Sequence, residues 1–340
     1  MRKRTRYSLL LMLALVAALI VAVWLRKAAP PEAARLLPES DAIVYVNLRP
    51  LRAATHFDRD QVQRSPDYQH FVDATGIVPE RDLDAAAFAL HRMDNPNGPN
   101  GLVAYSEVFE GRFDGERLAR YLGSIATSRE DYAGHVIFTV PIEGRQLRIA
   151  QLGYDTIAAS NMPTPEQIHE MLDRYRASAS PFSGSSLLAA RYRDVPLLSS
   201  VWGIGHVGLP FSERGHITMF GLELPLPEDT TFVASLRYVG ALHLRIEQIA
   251  PSEADAARTT QALDNLVQLI QAIQPKVVAQ SDKADADAVR EFTSSLKIEQ
   301  RKDRAVLTAS VPLELLKKLG TPIGAAVSDA PAPNGSSAGH

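Results

Sequence analysis

The run Gly203-Ile204-Gly205-His206-Val207-Gly208 has the G-x-G-x-x-G spacing of a dinucleotide-binding turn and follows a stretch that reads as a strand. That chemistry needs the third glycine to open a helix whose N-terminus faces the pyrophosphate. Leu209-Pro210 follows instead, and no helical pattern begins before the next strand, so the glycines are read as lightening a strand edge or bend. Nine histidines raise a metal centre. No two stand at i, i+4, and His169-Glu170 lacks the second histidine of H-E-x-x-H. His206 and His216 flank an expected turn, with His243 on a neighbouring strand, but solvated or hydrogen-bonded roles are expected and no metal cluster.

The carboxylate pairs Asp82 with Asp84 and Asp285 with Asp287 fall in polar segments where solvated charge is expected. Ser183-Gly184-Ser185-Ser186 reads as a flexible linker, not a strand-to-helix nucleophile elbow, and no G-x-S-x-G is present. Arg49, Arg52, His56, Arg59 and Arg64 lie near Tyr68 and Phe71, but Asp58, Asp60 and Asp67 dilute the charge, which predicts a solvated, partly helical surface. The motif search therefore assigns no catalytic, cofactor-binding or metal residue. Catalytic groups converge from distant positions, so an enzyme is not excluded on this ground alone.

Alternating strand and helix signals surround these motifs and predict an α+β fold of mostly antiparallel sheets with packed helices. Ala42 to Leu48 reads as a first strand closed by Pro50. Phe88–Met93 and Leu102–Phe109 flank the turn-forming run 94–101 and are expected to pair. Leu118, Tyr121 and Leu122 mark a helix ending at Gly123, and Val136–Val140, Gln146–Leu152 and Thr156–Ala159 a meander. Thr164, Pro165 and Gln167 suggest a capping box for a helix with the stripe Ile168, Met171, Leu172, Tyr175.

Strands are predicted again over Leu198–Val207, Thr230–Tyr238 and Ala241–Ile249, the last with His243, Arg245 and Glu247 on its polar face. Ser252 caps the longest helix, which stops before Pro275. A hairpin (Leu296–Ile298, Ala305–Val311) and a Pro312-started helix, Leu313–Leu319, follow. Because Gln146–Ser160 plus a helix parallels Leu296–Ser310 plus a helix, a diverged duplication is expected. The expected organisation is a cytoplasmic tip and transmembrane anchor over 1–27, an extended Ala/Pro spacer over 28–38, a first α+β half over 39–177, a connector over 178–197, a second half over 198–320 and a disordered tail over 321–340.

The anchor rests on an unbroken apolar run, Leu9 to Leu25. Seventeen helical residues span about 26 Å, near the ~30 Å hydrocarbon core, and Arg26 and Lys27 can snorkel. A cleaved signal peptide fits less well, because the run is long and Arg26 and Lys27 stand where small residues should. Flanking cations favour a cytoplasmic N-terminus, a single crossing and an exported body. Six of the 36 Lys and Arg, and none of the 39 Asp and Glu, lie in residues 1–27, so the remainder carries a net charge of −9. Such a surface argues against nucleic acid. With no cysteine, the chain has no disulfide, thiolate or lipoprotein anchor, and its fold depends on an ordinary core.

The apolar segment, the spacer, and Leu37-Pro38-Glu39-Ser40-Asp41-Ala42 leading into Ile43-Val44-Tyr45-Val46-Asn47 resemble the opening of uncharacterised bacterial single-pass envelope proteins. The resemblance implies a large exported α+β domain with duplicated halves in the periplasm, and carries no site residues. The expectation is a non-catalytic binding or scaffolding protein at the bacterial inner membrane. Its partners would be the bilayer, through the N-terminal helix, and an envelope protein, lipid or glycan. The alternative is an anchored hydrolase on an envelope substrate, which a deep pocket gathering carboxylates and histidine would favour.

Overall fold

A computed structural model describes Met12 and residues 29–59, 64–142, 144–178, 183–206, 216–219, 222–225, 230–239, 241–279 and 283–312. The expected anchor, the helix over 313–319 and the tail lie outside these residues. Among the described residues no helix is long and apolar enough to cross a membrane.

The chain is α+β, built on a twelve-stranded antiparallel sheet with helices packed against it. Its first part runs α1 (Glu32–Leu36), β1 (Ala42–Asn47), α2 (Leu48–Thr55), α3 (Pro66–Thr75), α4 (Pro79–Asp82), β2 (Leu83–Arg92), β3 (Val103–Gly111), α5 (Gly115–Ile125), β4 (Ser128–Tyr132), β5 (His135–Ile142), β6 (Arg145–Gln151), β7 (Thr156–Ser160) and α6 (Glu166–Arg176). The second runs α7 (Ser186–Arg191), β8 (Val201–His206), β9 (His216–Met219), β10 (Leu222–Pro225), β11 (Thr231–Val239), β12 (Ala241–Ile249), α8 (Glu253–Ala279), α9 (Lys283–Ser295), β13 (Lys297–Arg301) and β14 (Arg304–Val311). Strands β9 and β10 pair separately.

The strand order is 13-14-12-11-8-1-2-3-7-6-5-4. Each half is a three-strand meander (β1-β2-β3, β8-β11-β12), then helix, then strands whose last member (β7, β14) returns to the meander's third strand. The halves join where β1 pairs antiparallel with β8, so the sheet is continuous. Both edges, β4 (SREDY) and β13 (KIEQR), are rich in charge, which discourages further strand pairing.

Directly opposed residues share a face, and one row crosses every strand of this sheet: Lys297, Thr308, Arg245, Ser235, Trp202, Tyr45, Ala87, Val108, Ala158, Ala150, Ile137 and Glu130. From Trp202 to Ile137 the row is buried and apolar. It meets Ala33, Ala34, Leu36 and Leu37 around α1, Ile168, Met171 and Leu172 of α6, and Leu187 and Leu188 of α7 in one core. A second core places Leu118 and Leu122 of α5 with Ile77, Phe138, Val140 and Ile157.

Several local expectations are corrected. Residues 32–36, read as extended spacer, form α1, because Ala33, Ala34 and Leu36 find a sheet face to cover. Strand β1 ends at Asn47, whose side chain accepts from Arg49 N and caps α2, leaving Pro50 inside the first helical turn. Helix α5 runs through Gly123 to Ile125, and α8 through Pro275 to Ala279. Long-range packing outweighs the local breaker at each. Helix α6 begins at Glu166 with Pro165 as an N-cap that makes no side-chain bond, so the Thr164–Gln167 capping box does not form. Strand β4 and helix α9 were not expected, since β4 has almost no apolar side chain and α9 opens on alternating Ala and Asp.

Candidate ligand-binding site

Few of the motif residues come together. Gly203 and Gly205 lie within β8, and a Cβ on Gly205 would stand 2.5 Å from Ala42 Cβ, so Gly205 allows β8 to lie against β1, whereas a Cβ on Gly203 would meet only ordinary contacts. Gly208 lies outside the described residues. His206 sits in the row of Thr231 and Ile249, six residues along β12 from His243, about 20 Å at 3.4 Å per residue. The side chain of His216 is outside the described set. Among the described residues no group of three His, Asp or Glu gathers to hold a metal ion.

His169 Nε2 bonds Glu130 Oε1 at 2.8 Å, and the ring stacks on Tyr132 with centroids 3.8 Å apart. Asp82 and Asp84 are not solvated charges. Asp82 is buried and pairs with Arg81 and Arg112, and Asp84 pairs with Arg49 and Arg52. These pairs also account for two cations of the basic segment, and Arg64 pairs with Glu80. The side-chain bonds from Arg81 and Arg49 hold the respective carboxyls below the usual carboxylate range. Asp287 keeps its expected exposure and bonds Arg290; the side chain of Asp285 is not described. Ser185 is no linker residue: it is fully buried and caps α7 by accepting from Leu188 N, while Ser186 donates to Glu39.

One nucleophile-like contact escaped the motif search. His91 Nε2 stands 3.0 Å from Ser106 Oγ, which stands 3.0 Å from Ser160 Oγ. The three side chains are 6%, 0% and 1% exposed, so no substrate reaches them, and burial holds His91 below its usual pKa. The contact serves to satisfy polar groups inside the sheet.

The feature that does gather chemistry lies where the twelve-strand row turns polar. A cavity of about 520 Å³ opens over β11, β12, β13 and β14. Ser235, Arg245, Thr308 and Lys297 line it from that row, and Arg237, His243 and Ser310 from the next. Pro196, just beyond α7, and Ser294 and Ser295, at the end of α9, complete the wall. Ser295 Oγ donates to Ser310 O and accepts from Ser310 N, which fixes α9 to β14. Beneath the wall, Glu247 accepts from Arg245 and Arg304, and Arg304 also reaches Asp194.

The volume falls within the ~300–1,000 Å³ range of small-molecule sites. Sequence reasoning saw the polar face of β12, but its neighbours across β11 and β14 are set by register alone.

A second cavity of about 610 Å³ lies between α5, the 153–155 turn and α6. Leu118, Phe138, His135, Asp155 and Tyr175 line it, and His135 Nδ1 is 3.0 Å from Gln151 O. No serine or threonine is among its lining residues.

The fold and these cavities define an α+β sheet protein with a small-molecule-sized pocket, and no hydroxyl–base pair is hydrogen-bonded among the described residues that line either cavity. No protein-family model matches the chain, and no curated protein does. Among solved structures it is similar to TP0453. Crystal form III aligns with TM-score 0.48 and 11% identity over 85% of this chain and 97% of that one. Form IV gives 0.46 and 10% over 85% and 96%, and form I 0.43 and 9% over 84% and 95%.

Proposed function

We propose that this chain is a non-catalytic binding protein, tethered by the apolar segment 9–25 to the inner membrane of a bacterial cell, with its body on the extracytoplasmic side. The observation that carries the binding reading is the cavity over β11, β12, β13 and β14, into whose wall the sheet brings Arg237, His243, Arg245 and Lys297. The matched strand orders of 1-2-3-7-6 and 8-11-12-14-13 about the β1–β8 pair support a duplicated unit. The halves are taken as 39–177 and 198–320. The −9 charge outside the anchor disfavours nucleic acid.

The hydrolase reading is favoured by His135 and Asp155 beside the second cavity. It lacks an activated nucleophile there, and a water-activating mechanism would have to use His135 or Asp155 as its base.

The test is protease treatment of intact spheroplasts, followed by purification of the chain in mild detergent and mass spectrometry of what co-purifies. Digestion of the body with retention of a membrane-bound N-terminal fragment, and a small molecule released on denaturation, is the expected result. Protection of the body refutes the placement. Turnover of an ester or glycan that is lost in His135→Ala refutes the non-catalytic reading.

A further inference from the structure

We infer that the cavity over β11, β12, β13 and β14 binds a phosphate-type oxyanion carried on a small organic group, an assignment that rests on the binding reading above. Charge comes first. No carboxylate lines the cavity among the described residues. Glu247 and Asp194 are committed to Arg245 and Arg304, Asp303 lies 4.0 Å from Arg304, and Glu299 beside Lys297 pairs with Arg301, four negative charges against three positive. Arg237 and Lys297 remain, and neither has an ion-pair partner among the described residues. The α9 C-terminus offers about half a negative charge, which two full cations outweigh.

Hydrogen bonding points the same way. Arg237 Nε is buried and finds no acceptor among the described residues. A buried charged donor without an acceptor is costly, and an incoming oxyanion removes that cost. The hydroxyls of Ser235, Thr308 and Ser310 also make no side-chain hydrogen bond to a described residue, so three neutral donors stand ready beside two charged ones. At strand spacings of ~4.8 Å, the β11-β12-β14-β13 patch is about 14 Å wide. That exceeds a bare ion and fits a phosphate bearing an organic substituent. Both a lipid headgroup and a soluble phosphate ester present this chemistry.

The experiment is calorimetric titration of the whole 340-residue chain in uncharged detergent. The probes are inorganic phosphate, glycerol 3-phosphate and dihexanoyl phosphatidic acid below its micellar concentration, with maltose as an uncharged comparison, at constant ionic strength. Binding of glycerol 3-phosphate and the lipid is expected, each weakened about tenfold or more by Arg237→Gln and by Lys297→Gln. Lys302→Gln, on the turn after the same edge strand and outside the cavity, should bind as the parent does. A preference for the lipid assigns the headgroup as source, and a preference for glycerol 3-phosphate the soluble ester. Far-UV circular dichroism confirms that each variant is folded. Absence of binding by all three phosphate probes, or binding as tight as the parent's by both cavity variants, overturns the assignment. Maltose binding that survives Arg237→Gln sinks the anion class but leaves the binding reading intact. A chain that co-purifies with no ligand and binds neither maltose nor any phosphate probe loses both.

Discussion

Arg304 Nη1 donates to Glu247 Oε1 at 2.6 Å across the β12–β14 pair, and the same guanidinium nitrogen lies 3.0 Å from Asp194 Oδ1. The Glu247 side chain is 4% exposed, so its charge depends on Arg304 and Arg245 for compensation. Arg304→Ala should therefore destabilise the chain by about 3–5 kcal/mol, the range for removing one partner of a buried pair. Urea unfolding followed by circular dichroism measures it; a loss below about 1 kcal/mol would mean the network is solvated.

Acid should expose the same dependence. Burial raises the Glu247 pKa, but hydrogen bonds from Arg304 and Arg245 more than offset this and leave it below the usual 4.5. A carboxyl lowered on folding contributes stability above its unfolded pKa and loses it as pH falls through the folded value. Glu247→Gln should narrow the fall in melting temperature below about pH 4.5, read from scans at successive pH values.

Glu107 behaves in the opposite sense. It faces Phe88 and Ala159 across β2 and β7, and burial pushes its carboxyl up. A raised acid contributes its stability below the unfolded pKa and loses it as pH rises through the folded one. Glu107→Gln is thus expected to raise the melting temperature at pH 7 to 8, with the gain vanishing below about pH 4. A destabilised variant at neutral pH would show that the carboxylate has a partner.

Gly205 and Ala42 test the join between the halves. Gly205→Ala puts a Cβ 2.5 Å from that of Ala42, and an overpacked site of this kind costs about 1–3 kcal/mol. Adding Ala42→Gly should restore most of the loss, and a double-mutant cycle in urea quantifies the coupling. Additive effects would place the strain elsewhere.

Trp202 stacks on Tyr45 with centroids 5.5 Å apart and is 1% exposed. Trp202→Ala should cost about 3–5 kcal/mol, in a single cooperative transition if the halves fold as one unit. Two separated transitions in the parent chain would show that the halves unfold independently.

Period-two alternation announced β1, β2, β3, β5, β6, β7, β11, β12 and β14, and the Ile168, Met171, Leu172 stripe announced α6, because burying one face imposes a pattern that local sequence must carry. Strand β4 escaped because an exposed edge strand buries almost nothing, and α1 because five residues contain too little periodicity. Asp82 and Ser185 were misjudged for a related reason: a polar side chain reads as solvated until a partner is known. The apolar N-terminal run, the acidic remainder and the lack of cysteine belong to the sequence alone, since composition needs no neighbours. The cavity belongs to tertiary structure. Arg237, His243, Ser310 and Lys297 are spread over 74 positions of chain and become neighbours only when β11, β12, β14 and β13 pair in register. That register is set by burial of Trp202, Tyr45 and Ala87 further along the same sheet face, a long-range choice that no local spacing records.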